Sequence, residues 1–247
     1  MVVGSRSACG AVALWALGVQ CSGAWAAEPA PCGPLDLGFG VKDAGWRHKP
    51  MSSLKRDTVY KIEPDGSRTV LKAEADKSAS LYVAPFSAPM AVPASLGWAW
   101  KTDALVPGAD NRDKKREDAP LRVLAAFGGD ETKLPEEERK RMNRAEKLSG
   151  TKPPFATLMY IWSEQVPVGT VIPSAHTSQV KMLVVASGKQ GLGQWQTFQR
   201  DLAADYRKAW GGSAGPLLGV AVMTDTDNTG TQASGWYADL RLGCPGK

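Results

Sequence analysis

The densest run of chemistry-bearing side chains is Asp225-Thr226-Asp227-Asn228-Thr229-Gly230, which directly follows the apolar stretch Leu217 to Met223. An aspartate nucleophile followed two residues later by a second aspartate acting as acid and base is the arrangement phosphoryl transfer uses. That chemistry needs a large α/β domain around it. Here the chain ends shortly after Gly230, and no alternation of helices and strands precedes it. The run also imitates the start of a helix–loop–helix calcium loop, with Asp at positions 1 and 3 and Gly at 6. Its twelfth position, where a bidentate Glu belongs, is Trp236. A looser calcium site built from Asp225, Asp227 and Asn228, with Asp239 as a further donor, remains open. The stronger reading is a ligand-free turn, because Asp and Asn bond to their own backbone and Gly accepts positive φ.

Other chemistries find fewer parts. Glycoside hydrolysis needs two carboxyl groups facing each other across a groove; Glu117, Asp118, Glu164, Asp201 and Asp205 are available, but no spacing pairs them. Arg200, Asp201, Asp205 and Arg207 sit close enough to form surface ion pairs. With only two histidines, His48 and His176, a zinc site of the usual three or four ligands is not expected. No G-x-S-x-G nucleophile elbow occurs. Gly188-Lys-Gln-Gly-Leu-Gly193 lacks phosphate-loop spacing and reads as a loop.

The elements that must position these residues are mostly short strands with turn punctuation. Val59 to Ile62, the turn Pro64-Asp65-Gly66-Ser67 and Thr69 to Ala73 read as a hairpin. Further strands are expected at Ser80 to Val83, Gly97 to Thr102, Leu121 to Phe127, Ala156 to Trp162, Val180 to Ala186, Leu217 to Met223 and Trp236 to Leu242. Two segments read as helices. Pro135 to Leu148 is charged almost all round, which suits a solvated insertion. Trp195 to Trp210 carries Phe198, Leu202, Tyr206 and Trp210 at four-residue intervals. Few helices and no βαβ alternation predict a mostly β, two-sheet antiparallel sandwich of jelly-roll type. Trp98/Trp100 and Tyr160/Trp162 each place two aromatics on one sheet face. Core filling is the first expectation for them, and a stacking platform the functional one.

Composition sets the compartment and narrows the partners. Arg6, the apolar stretch Ala11 to Val19 and Ala24-Trp25-Ala26 have the layout of a cleavable secretory signal over residues 1–26. The stretch is far short of the about 20 residues a membrane span needs. The remainder, 27–247, is expected to be a single domain, periplasmic or secreted. Of the four cysteines, Cys9 and Cys21 leave with the signal, so an oxidising compartment favours a Cys32–Cys244 disulfide. The net charge of +5 is mild, the charges are mixed along the chain apart from the basic run Arg112 to Arg116, and basic residues are not interleaved with aromatics. No nucleic-acid partner is expected.

Taken in order, Trp98-x-Trp100, Lys115-x-Glu117-Asp118 before Arg122-Val, Tyr160-x-Trp162, Ser187-Gly188, Trp195, Arg200-Asp201, Asp205-Tyr206, Thr224-Asp-Thr-Asp-Asn-Thr-Gly and Trp236-Tyr-x-Asp239 resemble an exported bacterial family catalogued as domain of unknown function 3047. The likeness spans nearly all of the chain after the signal. Glu117 is a mild departure from it, and 135–148 looks like an insertion. The resemblance implies no activity. The strand order is also similar to the jelly-roll carbohydrate-binding modules, which often hold a structural calcium; that is an analogy of fold and does not fix function. The expectation is a binding or accessory module for a glycan or another envelope component. Lys115, Glu117, Asp118, Arg122, Arg200, Asp201 and Asp205 are its polar candidates, and Trp100 and Trp162 its platforms. The competing expectations are a hydrolase of envelope polymers and a structural partner in an envelope assembly.

Overall fold

Alternation of large apolar and polar side chains over five to twelve residues builds this molecule from strands. The computed structural model describes residues 29–52 and 54–244; the expected signal at 1–26 lies outside the described residues. In chain order the strands are β1 (Leu35–Asp36), β2 (Arg47–Pro50), β3 (Val59–Asp65), β4 (Arg68–Asp76), β5 (Ser80–Met90), β6 (Ser95–Lys101) and β7 (Ala119–Phe127). Then come α1 (Glu136–Ser149), β8 (Ala156–Ser163), β9 (Val171–Pro173), β10 (Val180–Ser187), β11 (Gln196–Arg200), α2 (Leu202–Trp210), β12 (Leu217–Asp225) and β13 (Gln232–Gly243). They form two sheets. One runs β2-β5-β12-β7-β8-β10-β9; the other runs β11-β6-β13-β4-β3, with β1 paired to β13. The expected two-sheet, mostly β sandwich is what the chain builds.

The inner faces meet in one core. Leu71, Leu96, Trp98, Trp100, Tyr237 and Leu240 from the six-stranded sheet pack against Leu121, Val123, Phe127, Leu158, Tyr160, Trp162 and Val222 from the seven-stranded one. Successive strand residues alternate faces, so Arg122, Leu124, Ile161, Met182, Val184 and Met223 lie on the opposite side of the larger sheet, in separate clusters where apolar. Gly235 lets the sheets close. A Cβ there would sit 2.7 Å from Leu121 and 2.9 Å from the Thr224 hydroxyl. Beside it Tyr237 donates its hydroxyl hydrogen to the Met223 carbonyl (2.6 Å), and Thr224 donates to that of Pro120 (2.8 Å).

Three local expectations need correction. The pairing is not purely antiparallel: β10 lies parallel to β8, because the chain first makes β9, which pairs antiparallel with β10 on its outer side. The helix expected from Trp195 onward starts only at Leu202. Gln196–Arg200 is a strand on β6, with Phe198 stacked on Trp98 at 5.2 Å, and Asp201 starts α2 by accepting the Ala204 N–H at 2.9 Å. The four-residue spacing fits both states at Phe198, and the Asp cap decides where strand gives way to helix. The charged helix α1 is anchored rather than merely solvated. Its Glu138 carboxylate accepts from the Thr177 hydroxyl and the Ser178 N–H, both at 3.1 Å, and Met142 is buried.

The first described segment is tied to the last. β1 pairs Leu35 with Leu242, and Cys32 and Cys244 form a disulfide with Cα atoms 5.8 Å apart. No helix among the described residues is long and apolar enough to cross a membrane.

Candidate functional sites

The end of β12 and the start of β7 bring together most of the first polar set. Arg122 projects from the outer face of the seven-stranded sheet and is 3% exposed. Its Nε donates to Asp225 Oδ1 at 2.7 Å and its Nη2 to Oδ2 at 2.9 Å. Nη2 also donates to the Glu117 carbonyl, and Nη1 lies against the sulfur of Met182 at 3.5 Å. Asp225 further accepts the Ala119 N–H at 3.1 Å. Burial pushes the Asp225 carboxyl up to about 6; the Arg122 charge opposes that shift, and Asp118 adds to it. Asp118 accepts the Asn228 and Thr229 N–H groups at 3.2 and 2.6 Å. That carboxylate holds the turn in the shape its Asp-Asn-Thr-Gly chemistry suits. Glu117 faces His176, with 3.5 Å between Oε1 and Nε2. Lys115 is exposed on the same loop.

One carboxylate oxygen each of Asp118, Asp225 and Asp227 lie within 4.8 Å of one another. Asp239 is not among them: it sits on the other sheet, paired with Arg68 at 3.4 Å. A calcium reading must therefore exchange Asp239 for Asp118. The three carboxylates already have partners, Asp225 the Arg122 guanidinium, Asp227 the Lys55 ammonium at 2.5 Å and Asp118 two backbone donors. A divalent ion would have to compete with two cations. The donor set fits a self-contained ion-pair lock better than a metal cage.

The second polar set forms a separate cluster. Arg200 donates through Nε and Nη2 to the two oxygens of Asp205 at 2.8 and 2.6 Å, and the Tyr160 hydroxyl donates to Asp205 Oδ2 at 3.0 Å. This joins β11, α2 and β8. Asp201 is used as the α2 cap. Trp100 and Trp162 are fully buried, 6.5 Å apart in the core, so neither presents a ring to a ligand. Of the acids considered for hydrolysis, Asp118 and Asp205 are buried in hydrogen bonds and Asp201 caps a helix.

Two partly exposed aromatics, Trp195 and Trp236, lie elsewhere, on the outer face of the six-stranded sheet. Register sets Trp236 of β13 between Lys101 of β6 and Lys72 of β4. The ammonium groups stand 4.9 and 5.8 Å from its ring centre. Trp195, just before β11, has the Lys101 ammonium at 5.3 Å and the Arg68 guanidinium at 5.2 Å. Its Nε1 donates to Asp65 Oδ2 at 2.8 Å. Aromatic and basic residues that are not interleaved along the chain are interleaved across strands. Two shallow grooves flank this row on the same face. One, of about 490 Å³, is lined by Trp236, Glu74, Asp76, Asp103, Gln232 and Ser234 among others. The other, of about 470 Å³, is lined by Pro34, Leu35, Asp36, Asp239, Arg241 and Leu242. Trp195 and Trp236 were missed as surface aromatics. The signal was present as Trp236-Tyr237, one ring per face, but only register tells which ring points out.

The two-sheet sandwich thus carries a row of partly exposed aromatic and charged side chains on the outer face of its smaller sheet. A family model described as "Protein of unknown function (DUF3047)" matches residues 44–241, and the chain belongs to that family. None of the curated proteins matches the sequence. Among solved structures the chain is similar to the Family 11 carbohydrate-binding module of the cellulosomal cellulase Lic26A-Cel5E of Clostridium thermocellum (7% identity, TM-score 0.45, covering 86% of this chain and 95% of that one). It is also similar to the xyloglucanase domain of NopAA, a type three effector from Sinorhizobium fredii (10% identity, TM-score 0.41, covering 86% and 97%).

Proposed function

We propose that this protein is an exported glycan-binding module and that its ligand lies on the outer face of the six-stranded sheet. The observation that carries this reading is the groove walled by Trp236. A sugar has apolar ring faces and a rim of hydroxyls. Trp236 supplies an aromatic surface, and Glu74, Asp76, Asp103, Gln232 and Ser234 supply acceptors and an amide donor around it. The cation ladder holds Trp195 and Trp236 in place while both stay partly exposed, which lowers the ordering cost of binding. Export is supported by the signal layout of residues 1–26 and by a disulfide of the kind oxidising compartments maintain. Binding is favoured over hydrolysis because Asp118, Asp201 and Asp205 serve the fold.

The test is titration calorimetry or affinity electrophoresis against a panel of soluble polysaccharides. A binder should emerge, and Trp236→Ala should weaken it at least about tenfold while leaving the melting temperature within a few degrees. Binding unaffected by Trp236→Ala would place the site elsewhere.

A further inference from the structure

The far groove contains a feature that sheet geometry had to arrange. Side chains on β13 alternate, with Trp236 and Ala238 outward and Tyr237 inward. Continued unbroken, that phase would turn Leu240 and Leu242 to solvent and Arg241 into the core. Instead the register slips between Ala238 and Arg241, and Asp239 adopts φ +54°, a left-handed conformation that Asp tolerates better than most residues. Such a bulge re-aims the side chains beyond it. Leu240 and Leu242 are buried, and Arg241 emerges on the outer face.

Arg241 is then left without a counter-charge. The two acids of its groove are already engaged: Asp239 with Arg68 at 3.4 Å, and Asp36 as acceptor of the Gly38 N–H at 2.8 Å. Among the described residues no carboxylate lies within ion-pairing distance of Arg241. The cross-strand partner of Arg241 is Gly97. A Cβ on Gly97 would stand 3.2 Å from Arg241 Cγ and 3.3 Å from its Nε, so the glycine lets the arginine lie close across β6. The other basic groups of this face, Lys61, Lys72, Lys101 and Arg68, all have acidic partners.

We infer that Arg241 is an anion-recognition position and that the glycan bound on this face carries carboxylate groups. This inference rests on the glycan-binding reading. A guanidinium offers a planar fork that matches a carboxylate in two parallel hydrogen bonds. The chain would lie along β13, with a neutral ring at Trp236 and an acidic sugar at Arg241. Because of the bulge their partners on β6, Lys101 and Gly97, are four residues apart, or about 13 Å along a strand at roughly 3.3 Å per residue.

The test compares polygalacturonate and alginate with their carboxyl-reduced forms, and dextran sulfate with dextran, on the full chain. The wild type should bind the uronate polymers at least about tenfold more tightly than their reduced forms. Arg241→Gln should erase that preference, whereas Trp236→Ala should weaken acidic and neutral chains alike. A Lys114→Gln/Lys133→Gln variant, altering exposed charges in the loops before and after β7, should keep the preference. Equal binding of acidic and reduced polymers, a preference that survives Arg241→Gln, or one lost with the loop lysines would overturn the inference and leave the glycan reading standing. A sulfate preference exceeding the uronate one would overturn the assignment to carboxylate. If no polysaccharide binds, the reading beneath it fails.

Discussion

Arg122 and Asp225 meet through two hydrogen bonds with their side chains 3% and 5% exposed. Taking both ions out of water is costly, and their attraction repays this only because the remaining donors and acceptors are also matched. Loss of one partner strands the other, so Arg122→Met or Asp225→Ala should each lose about 3–5 kcal/mol in denaturant unfolding. The double variant should lose clearly less than the sum. Asp225 also carries a pH signature. Its folded pKa of about 6 exceeds the unfolded value of about 3.9, so the folded state binds the extra proton between them. Stability contributed by this residue is fully present below about pH 4 and is lost as pH rises through about 6. Asp76, Asp110 and Asp130 are held below the usual carboxylate range, mainly by side-chain hydrogen bonds, and work in the opposite direction. The Asp225 carboxyl carbon should therefore be followed by NMR; a midpoint near 4 would contradict the burial argument.

Elements decide where those residues stand. Asp201 ends a strand and begins α2, and its carboxylate satisfies a first-turn N–H. Asp201→Ala should cost about 1 kcal/mol, read as a fall in unfolding midpoint with little change in slope. No loss would mean that the cap is replaceable by water. Nine of the strands, β3 to β8, β10, β12 and β13, the hairpin at Gly66, the two-sheet plan and the disulfide were legible because each rests on local alternation, turn chemistry or cysteine arithmetic, whereas the short strands β1, β2 and β9 carry too little alternation to show. The Trp195–Trp210 segment was misread because Phe198, Leu202 and Tyr206 satisfy a helical spacing, although β6 offers the first of them a sheet edge. The polar candidates were legible as residues but not as a site. Asp118, Arg122 and Asp225 converge only through the pairing of β7 with β12, and Asp239 is absent from the cluster because β13 belongs to the other sheet. The outward ring, Trp236 rather than Tyr237, depends on register, which no single strand discloses.

At the scale of the molecule the two sheets divide the labour. The larger sheet holds the buried Arg122–Asp225 pair, and α1 is tied to the loop before β10 through Glu138. The smaller sheet leaves one face open, with its aromatic and basic side chains set in a row across strands. The disulfide and the β1–β13 pair fasten the ends of the described chain beside that face. Indole N–H resonances discriminate the two halves of this account. On titration with an oligosaccharide from the best-binding polymer, Trp195 and Trp236 should shift progressively, and the buried Trp98, Trp100 and Trp162 should hardly move. Shifts confined to the core tryptophans, or spread over residues around Arg122 and Asp225 with Trp195 and Trp236 unmoved, would contradict a binding face on the six-stranded sheet.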